Sequence, residues 1–203
     1  MQVYTLNDGE DLVKAARDSI ELFLITPSFN KNIVEKNLNR FTDHHGVFVT
    51  LEHYPTRTPR GCIGFPRAVA PIKESVIDAA IAAAFEDPRF VSVSKHELNE
   101  LLVEVSVLSK LVRLEGGEQT RKKSVEVGRD GLLIEYGVYS GLLLPNVPVE
   151  QGWDKKKFLQ QVCIKASLHS YYWAQPNVKI YKFETQRFRE ETPNGKIIEI
   201  KHK

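Results

Sequence analysis

The sequence predicts an α+β fold: a largely antiparallel sheet flanked by helices, with a smaller second lobe. Several segments in which apolar and polar residues alternate are joined by short turn-forming stretches, a pattern typical of β-hairpins. Only a few segments have helical periodicity, and they do not alternate regularly with strands, which disfavours a doubly wound parallel sheet. The 203 residues are 42% hydrophobic and 27% charged, which is enough apolar material for a sizeable core.

The first third of the chain predicts two helices and a hairpin. Apolar residues recur at helical spacing over 12–23, with Asn7 or Asp8 as the N-cap. Pro27 ends this helix, and the polar stretch NKNIVEKNLNRF predicts a second, short one. GVFVTLEH alternates as a strand does, YPTRTP reads as a loop, and RGCIGF is the returning strand, so that 46–65 form one hairpin.

The middle third predicts a helix, a capped turn and a strand. Pro71 suits the first turn of a helix whose apolar stripe covers 72–84 and whose end lies at 87–88. Residues 94–97 have the form of a capping box and predict a short helical turn. ELLVEVSVL follows, and its alternation predicts a strand with an inward apolar face over 101–107.

The last third predicts a further hairpin, a helix and two strands. VEVGRDGLLIEYG resembles a hairpin turning at 128–131, and LLLPNV is a buried run broken by Pro145. A helix is predicted over 154–169, with Cys163 on its apolar stripe and therefore in the core. VKIYKFETQRF predicts one strand, and a turn at 194–195 leads into a last strand, KIIEI.

The bulk properties limit the classes of function. A net charge of +2 gives no support to nucleic-acid binding, which stays uncertain because it needs a local basic patch. No apolar run has the length of a membrane span and the start of the chain does not resemble a signal peptide, so we expect no membrane association and a cytoplasmic location. Cys62 and Cys163 then predict two free thiols, with a single long-loop disulfide as the alternative.

Six stretches carry a resemblance to a known family: GVFVTL, RGCIGF, AAFEDPRF, ELLVEVSVL, GLLLPNVPVEQGWD and FLQQVCIKASL. Together they resemble the AMMECR domain family, named for the chromosomal region linked to Alport syndrome, midface hypoplasia and elliptocytosis, and the chain is similar to its prokaryotic-type members. The most specific element is 60–64, which looks like the family's RGCIG signature. Asn146 stands where the family pattern has glutamine, and Ser167 where it has glycine.

The resemblance implies a single AMMECR-type domain over 1–203, with a core of about 8–189 and a two-lobed α+β fold. From the order of the elements we expect parts of about 25–45 and 90–125 to build the smaller lobe. Some bacterial members occur beside Memo-type or radical-SAM proteins, so the resemblance implies partners of those types in a modification pathway. It implies neither an established activity nor a cofactor.

The signature contains the candidate catalytic residue, Cys62. A thiol reacts as the thiolate, which requires nearby positive charge or amide dipoles, and Arg60 is placed to supply that charge. Gly61 and Gly64 are candidate binding residues because bare backbone permits a close approach by an anion or substrate. If Ile63 points to the core, alternation turns Cys62 away from it. The alternative is that the glycines serve turn or bulge geometry and the thiol is a small buried residue.

Two further binding residues are candidates. Arg89 is expected either to join Arg60 in gripping a carboxylate or phosphate, or simply to compensate a helix end. Asn146, held between two prolines, is expected either to read a polar ligand edge or to bond a neighbouring backbone group. No histidine or cysteine spacing predicts a metal site.

These candidates lead to two functional hypotheses. In the first, the chain is an enzyme or a component of a modification pathway that uses a groove around 60–64. In the second, the same groove belongs to a non-catalytic module that binds protein or RNA. A third, strictly structural interpretation has the signature serving only the path of the sheet.

Overall fold

A computed structural model of the chain describes residues 4–67 and 69–201. The α-helices are α1 Leu6–Ile25, α2 Asn32–Glu35, α3 Ile72–Phe85, α4 Lys95–Leu98, α5 Glu118–Ser124, α6 Asn146–Glu150 and α7 Lys155–Lys165. The strands are β1 Gly46–His53, β2 Pro59–Phe65, β3 Leu101–Leu108, β4 Val112–Arg113, β5 Gly131–Tyr136, β6 Tyr139–Leu143, β7 Lys179–Phe183, β8 Thr185–Glu190 and β9 Ile197–Ile200. The α+β class is therefore as predicted. Among the described residues, no helix combines the length and apolar character that a bilayer span requires.

The chain divides into two compact units. Within the described residues, the larger unit consists of 4–108 and 186–201, and the smaller unit of 109–185. The smaller lobe was expected from about 25–45 and 90–125. In the structure, 25–45 belongs to the larger unit, and the division falls inside the second predicted segment, between Leu108 and Ser109.

The sheet of the larger unit has the strand order β2-β1-β3-β8-β9. β1 pairs antiparallel with both β2 and β3, so the predicted hairpin over 46–65 is present. One face of the sheet is apolar, because alternate residues such as Val49, Ile63 and Val105 belong to the hydrophobic core together with α1 and α3. This alternation is the reason the segments form strands: each buries one face.

The opposite face of the same sheet is polar, and we call it the polar face. Its side chains, one or two from each of four neighbouring strands, are Cys62 on β2, Thr50 and Glu52 on β1, Glu104 and Ser106 on β3, and Arg187 and Arg189 on β8. Several of these groups are buried although they are ionisable, and Glu104 is only 2% exposed.

Helix α1 is attached to the sheet by a buried arginine. Arg17 donates from Nε and Nη2 to the two carboxylate oxygens of Glu190, at 2.5 and 2.6 Å, and from Nη2 to the carbonyl of Leu101 at 2.7 Å. At the start of the helix, the N-cap is Thr5 rather than Asn7 or Asp8. Asp8 instead occupies the third helical position and completes a capping box with Thr5.

The smaller unit has its own sheet and core. Its strand order is β4-β7-β5-β6, and α7 packs on β5 and β6. Phe158, Cys163 and Trp173 are fully buried in its hydrophobic cluster, which confirms the core position predicted for Cys163. Arg121 is buried as well. Its guanidinium donates to the carbonyls of Trp173, Gln175 and Val178, and so provides hydrogen bonds for backbone groups that precede β7.

Two predicted elements of the last third were wrong. Residues 125–130 are not a strand, since the carboxylate of Asp130 accepts from the backbone N–H of Glu126 and closes a tight turn there. The hairpin in this region turns at 137–138, between β5 and β6. VKIYKFETQRF is not one strand either, because it breaks at Glu184 into β7 and β8, which belong to different sheets.

Candidate functional site

Cys62 lies on β2, an edge strand of the larger sheet, with its side chain on the polar face. Its neighbours Ile63 and Phe65 pack against the core, so the alternation predicted from the sequence holds. The thiol is free and partly buried. Thr50, which faces Cys62 across the hairpin, donates from Oγ1 to Sγ at 3.3 Å.

The backbone of Cys62 is bound by Asp87, which follows α3. Oδ2 of Asp87 accepts the N–H of Cys62 at 2.9 Å and also Nη2–H of Arg89 at 2.6 Å. Arg89 donates from Nε to Oδ1 at 2.9 Å, which makes the pair bidentate. These hydrogen bonds from Arg89 are the main reason that the pKa of Asp87 lies well below its usual range. Asp87 is therefore a buried, ionised carboxylate that joins Cys62 to Arg89.

Arg60 is held inside the protein. Only 6% of the residue is exposed, and its guanidinium forms an ion pair with Glu97 and donates to the carbonyl of Val91 at 2.8 Å. Its Cζ lies 5.6 Å from the ring centroid of Phe90, and that of Arg89 lies 5.1 Å from the same ring. Arg60 thus links β2 to the segment 87–97. Arg60 and Arg89 both make cation–π contacts with the ring of Phe90.

The two glycines of the signature are explained by packing. A Cβ on Gly61 would lie 2.2 Å from the carbonyl oxygen of Ala83, because α3 crosses β2 at that point. A Cβ on Gly64 would lie 2.2 Å from the carbonyl oxygen of Val47 on the neighbouring strand. The space beside both glycines is filled by the protein itself, so the bare backbone there serves the contact of β2 with α3 and β1.

The electrostatic environment of Cys62 keeps its thiol protonated. Burial raises the pKa of Cys62, and this effect exceeds the opposing effects of the Thr50 hydrogen bond and of the Arg89 charge. Cys163 is fully buried in the smaller unit, where burial raises its pKa to about 11. Both thiols are therefore protonated at neutral pH, and they differ mainly in their exposure to solvent.

Asn146 belongs to the smaller unit, whereas the other candidate site residues belong to the larger one. It is the first residue of α6, and its Nδ2 donates to Oε1 of Glu150, one turn later, at 2.9 Å. The bond is local, as one of the two sequence interpretations expected, although with a side chain rather than the backbone. Its Oδ1 is buried and has no hydrogen bond within the described part of the chain.

Sequence reasoning missed four residues of this site as contributors: Thr50, Asp87, Phe90 and Glu97. A signal existed for Thr50, because the hairpin register places it opposite Cys62. Asp87 and Glu97 were interpreted only as a helix end and a capping box. Their contacts with β2 join segments that are 25 and 37 residues apart, which no local pattern encodes.

Comparison with known proteins gives a consistent result over nearly the whole chain. A family model described as AMMECR1 matches residues 13–188. Protein TK0174 of Thermococcus kodakarensis is 46% identical over 96% of this chain and 97% of its own, and protein MJ0810 of Methanocaldococcus jannaschii is 43% identical over 99% of both. The crystal structure of uncharacterized protein PH0010 from Pyrococcus horikoshii is similar with a TM-score of 0.90 and 44% identity, covering 96% of this chain and 97% of that one.

Proposed function

Because the chain belongs to the AMMECR1 family, we propose that it is a component of a modification pathway in which Cys62 meets a substrate held by Arg89. The partners are proteins of the Memo or radical-SAM type. One observation carries this proposal: a single carboxylate oxygen, Oδ2 of Asp87, accepts hydrogen bonds from the backbone N–H of Cys62 and from Nη2–H of Arg89. A buried anion thereby fixes a guanidinium beside the strand that bears the thiol.

Arg89 is suited to hold an anionic group of the substrate. Its side chain is 50% exposed, whereas that of Asp87 is 2% exposed. Nε and Nη2 are taken up by Asp87, and Nη1 has no hydrogen bond within the described residues. A guanidinium binds carboxylate or phosphate through such a free edge. Arg60 contributes by fixing the path of 87–97 rather than by touching the substrate.

The protonated thiol sets a condition on the chemistry. At neutral pH Cys62 rests as the thiol, because burial has raised its pKa. It becomes a nucleophile only after its proton has passed to the substrate or to solvent, so its reactivity rises with pH. Thr50 and Arg89 both favour the thiolate, and removing either of them slows the thiol at a given pH.

Alkylation by two reagents that differ in charge tests this proposal. Iodoacetate carries a carboxylate and iodoacetamide does not, so a guanidinium beside Cys62 favours the former. We expect the ratio of the two rate constants at Cys62 to fall about fivefold in Arg89→Gln, which corresponds to about 1 kcal/mol for a half-exposed charge. Inorganic phosphate is expected to slow iodoacetate in the unchanged protein and not in Arg89→Gln.

A matched control exists in the smaller unit. Arg129 is 47% exposed and binds the buried Asp130 through Nε and Nη2, as Arg89 binds Asp87. Arg129→Gln is expected to leave the rate ratio at Cys62 unchanged, and Cys163 is expected to stay unreactive until the protein unfolds. An equal ratio in Arg89→Gln and in the unchanged protein contradicts an anion-holding role for Arg89.

A binding role without thiol chemistry is the second candidate, and the raised pKa of Cys62 favours it. In that case a protein or RNA segment with an anionic group occupies the same surface, and the thiol only fills space. Genetic complementation distinguishes thiol chemistry from binding: each variant is expressed in cells from which the gene for this protein has been deleted. Loss of function in both Cys62→Ser and Arg89→Gln favours thiol chemistry, whereas loss in Arg89→Gln alone favours binding.

A further inference from the structure

The sheets in the described part of the chain end at four edge strands, β2, β9, β4 and β6, and three of these are protected against pairing with a further strand. On β2, Asp87 accepts the outward N–H of Cys62. β9 lies between Lys196 and Lys201, and β4 is only two residues long and ends at Arg113. Charged side chains and short length are the usual means by which proteins prevent edge-to-edge association.

The fourth edge strand, β6, has none of these protections. Its sequence YSGLL contains no charged residue and no proline, and its pairing with β5 runs over all five residues without a bulge. An edge of this kind is a template for a further strand, and proteins that keep their edges unpaired modify them. The unmodified edge of β6 therefore indicates that another strand covers it.

The register of the β5–β6 hairpin identifies the main-chain groups that this edge offers. Tyr136 and Tyr139 face each other across the two-residue turn 137–138 and so form a hydrogen-bonded pair. Because hydrogen-bonded and non-hydrogen-bonded pairs alternate along an antiparallel ladder, the N–H and C=O of Ser140 and Leu142 point away from β5. Within the described residues, these groups have no hydrogen-bond partner. Ser140 is exposed and Leu142 is only partly buried.

We propose that β6 pairs with β6 of a second copy of this chain, antiparallel and about a two-fold axis that passes beside Gly141. Ser140 of each copy then exchanges both main-chain hydrogen bonds with Leu142 of the other, and the two four-stranded sheets become one continuous sheet. The pairing goes beyond the proposed function, because β6 belongs to the smaller unit and neither Cys62 nor Arg89 takes part in it.

The segment is chemically symmetric about Gly141, which is why we assign the edge to a second copy. In this register Tyr139 lies beside Leu143 of the second copy, and Val138 beside its Leu144, so apolar side chains meet apolar ones. In a single chain Val138 is 94% exposed and Tyr139 48% exposed. The closest main-chain approach falls at Gly141, which has no side chain, and the absence of charge on β6 lets two copies approach without repulsion.

Sedimentation equilibrium and amide hydrogen exchange of the full-length protein test the pairing together. At a concentration of about 1 mM we expect twice the mass of one chain, and we expect dissociation on dilution. The amides of Ser140 and Leu142 are expected to exchange at least about tenfold more slowly in the dimer than in the dilute protein, because only the dimer gives them acceptors. The amides of Gly141 and Leu143, which are bound to β5 in either state, are the internal control and are expected to be protected at both concentrations.

Three substitutions at Ser140 separate main-chain pairing from other effects. Ser140→Pro removes an outward N–H and no hydrogen bond within the sheet, so we expect the chain to fold and the dissociation constant of the dimer to rise at least about tenfold. Ser140→Lys adds the kind of charge that protects other edges and is expected to act in the same direction. Ser140→Thr keeps both main-chain groups and is the matched control, expected to dimerise as the unchanged protein does. Emission of Trp153 and Trp173 verifies that the smaller unit is folded in each variant.

The outcomes distinguish a second copy from other occupants of the edge. The proposal is overturned if the unchanged protein stays monomeric at about 1 mM, which would leave the edge to a partner of different sequence. It is also overturned if a dimer forms while the amides of Ser140 and Leu142 keep the exchange rates of the dilute protein. Dimerisation of Ser140→Pro and Ser140→Lys as tight as that of Ser140→Thr overturns it as well, because the copies then associate through another surface.

Discussion

Gly61 illustrates how one residue of a signature can be required by packing alone. We expect Gly61→Ala to lower the free energy of unfolding by at least about 2 kcal/mol, since the new methyl group meets a backbone carbonyl of α3 that cannot move aside. Gly117→Ala is the control, because nothing lies within 4 Å of a Cβ at that position, and its cost is expected to stay under about 1 kcal/mol. Urea unfolding measures both, and equal costs would remove the packing explanation.

Ser167 occupies a position that glycine suits better. It follows α7 with a φ of 58°, and the N–H of Leu168 donates to the carbonyl of Cys163 at 2.9 Å, which completes a Schellman motif. Ser167→Gly is expected to raise the free energy of unfolding by about 0.5–1 kcal/mol, because it relieves left-handed backbone strain that exceeds the added chain entropy. Ser124→Gly, in the last turn of α5, is the control and is expected to lose stability. A loss at both positions would contradict the strain argument.

Asp87 makes the free energy of unfolding depend on pH. Its folded pKa is depressed, so its ionisation stabilises the protein above the unfolded pKa of about 4, and this contribution is lost as the pH falls through the folded pKa. We expect Asp87→Asn to be destabilising at pH 7, and the difference from the unchanged protein to shrink below about pH 4. Thermal unfolding across pH 2–7 measures it. A difference that does not vary with pH would show that the carboxylate charge contributes nothing.

At the scale of elements, helix α1 depends on one buried ion pair. Arg17 and Glu190 are each 4% exposed in their side chains, so removing one partner leaves a buried charge. We expect Arg17→Met to cost about 3–5 kcal/mol of unfolding free energy, and Arg17→Met with Glu190→Leu to recover most of it. Lys31→Ala, which breaks a half-exposed pair with Asp78, is expected to cost under about 1 kcal/mol. A double variant no better than Arg17→Met would contradict this account.

The sequence predicted the elements that bury one face and missed those that tertiary contacts decide. The strands β1, β2 and β3 alternate cleanly, and their register follows from a short loop, so the hairpin over 46–65 could be placed. The break at Glu184 could not be found, because β7 and β8 have continuous strand propensity on both sides of it. Only their pairing with different sheets separates them.

The candidate site could be predicted in part. The alternation of side chains along β2 placed Cys62 on the face opposite the core. Arg60 and Arg89, which were expected to act together, both lie against the ring of Phe90. The partners of these residues could not be predicted, because Asp87 and Glu97 reach β2 through side-chain hydrogen bonds between distant segments. Charged residues inside alternating strands, such as Glu104 in ELLVEVSVL, were the available sign of the polar face.

For the whole molecule, both tryptophans are reporters of one unit. Trp153 and Trp173 belong to the smaller unit, so tryptophan emission follows that unit while far-UV circular dichroism follows both. Each unit has its own hydrophobic cluster. We therefore expect Arg17→Met to lower the midpoint measured by circular dichroism and to leave the midpoint measured by fluorescence in place. Equal shifts in the two signals would mean that the units unfold as one.

The path of the chain also orders the events of its synthesis. The smaller unit is one continuous segment, complete as soon as residue 185 has left the ribosome, whereas the larger unit is interrupted by it. β8 and β9, and with them the carboxylate that Arg17 requires, are made after the smaller unit. A nascent chain thus carries α1 with an unneutralised guanidinium until Glu190 has been made. A ribosome that stalls between residues 185 and 190 therefore holds a complete smaller unit and an incomplete larger one.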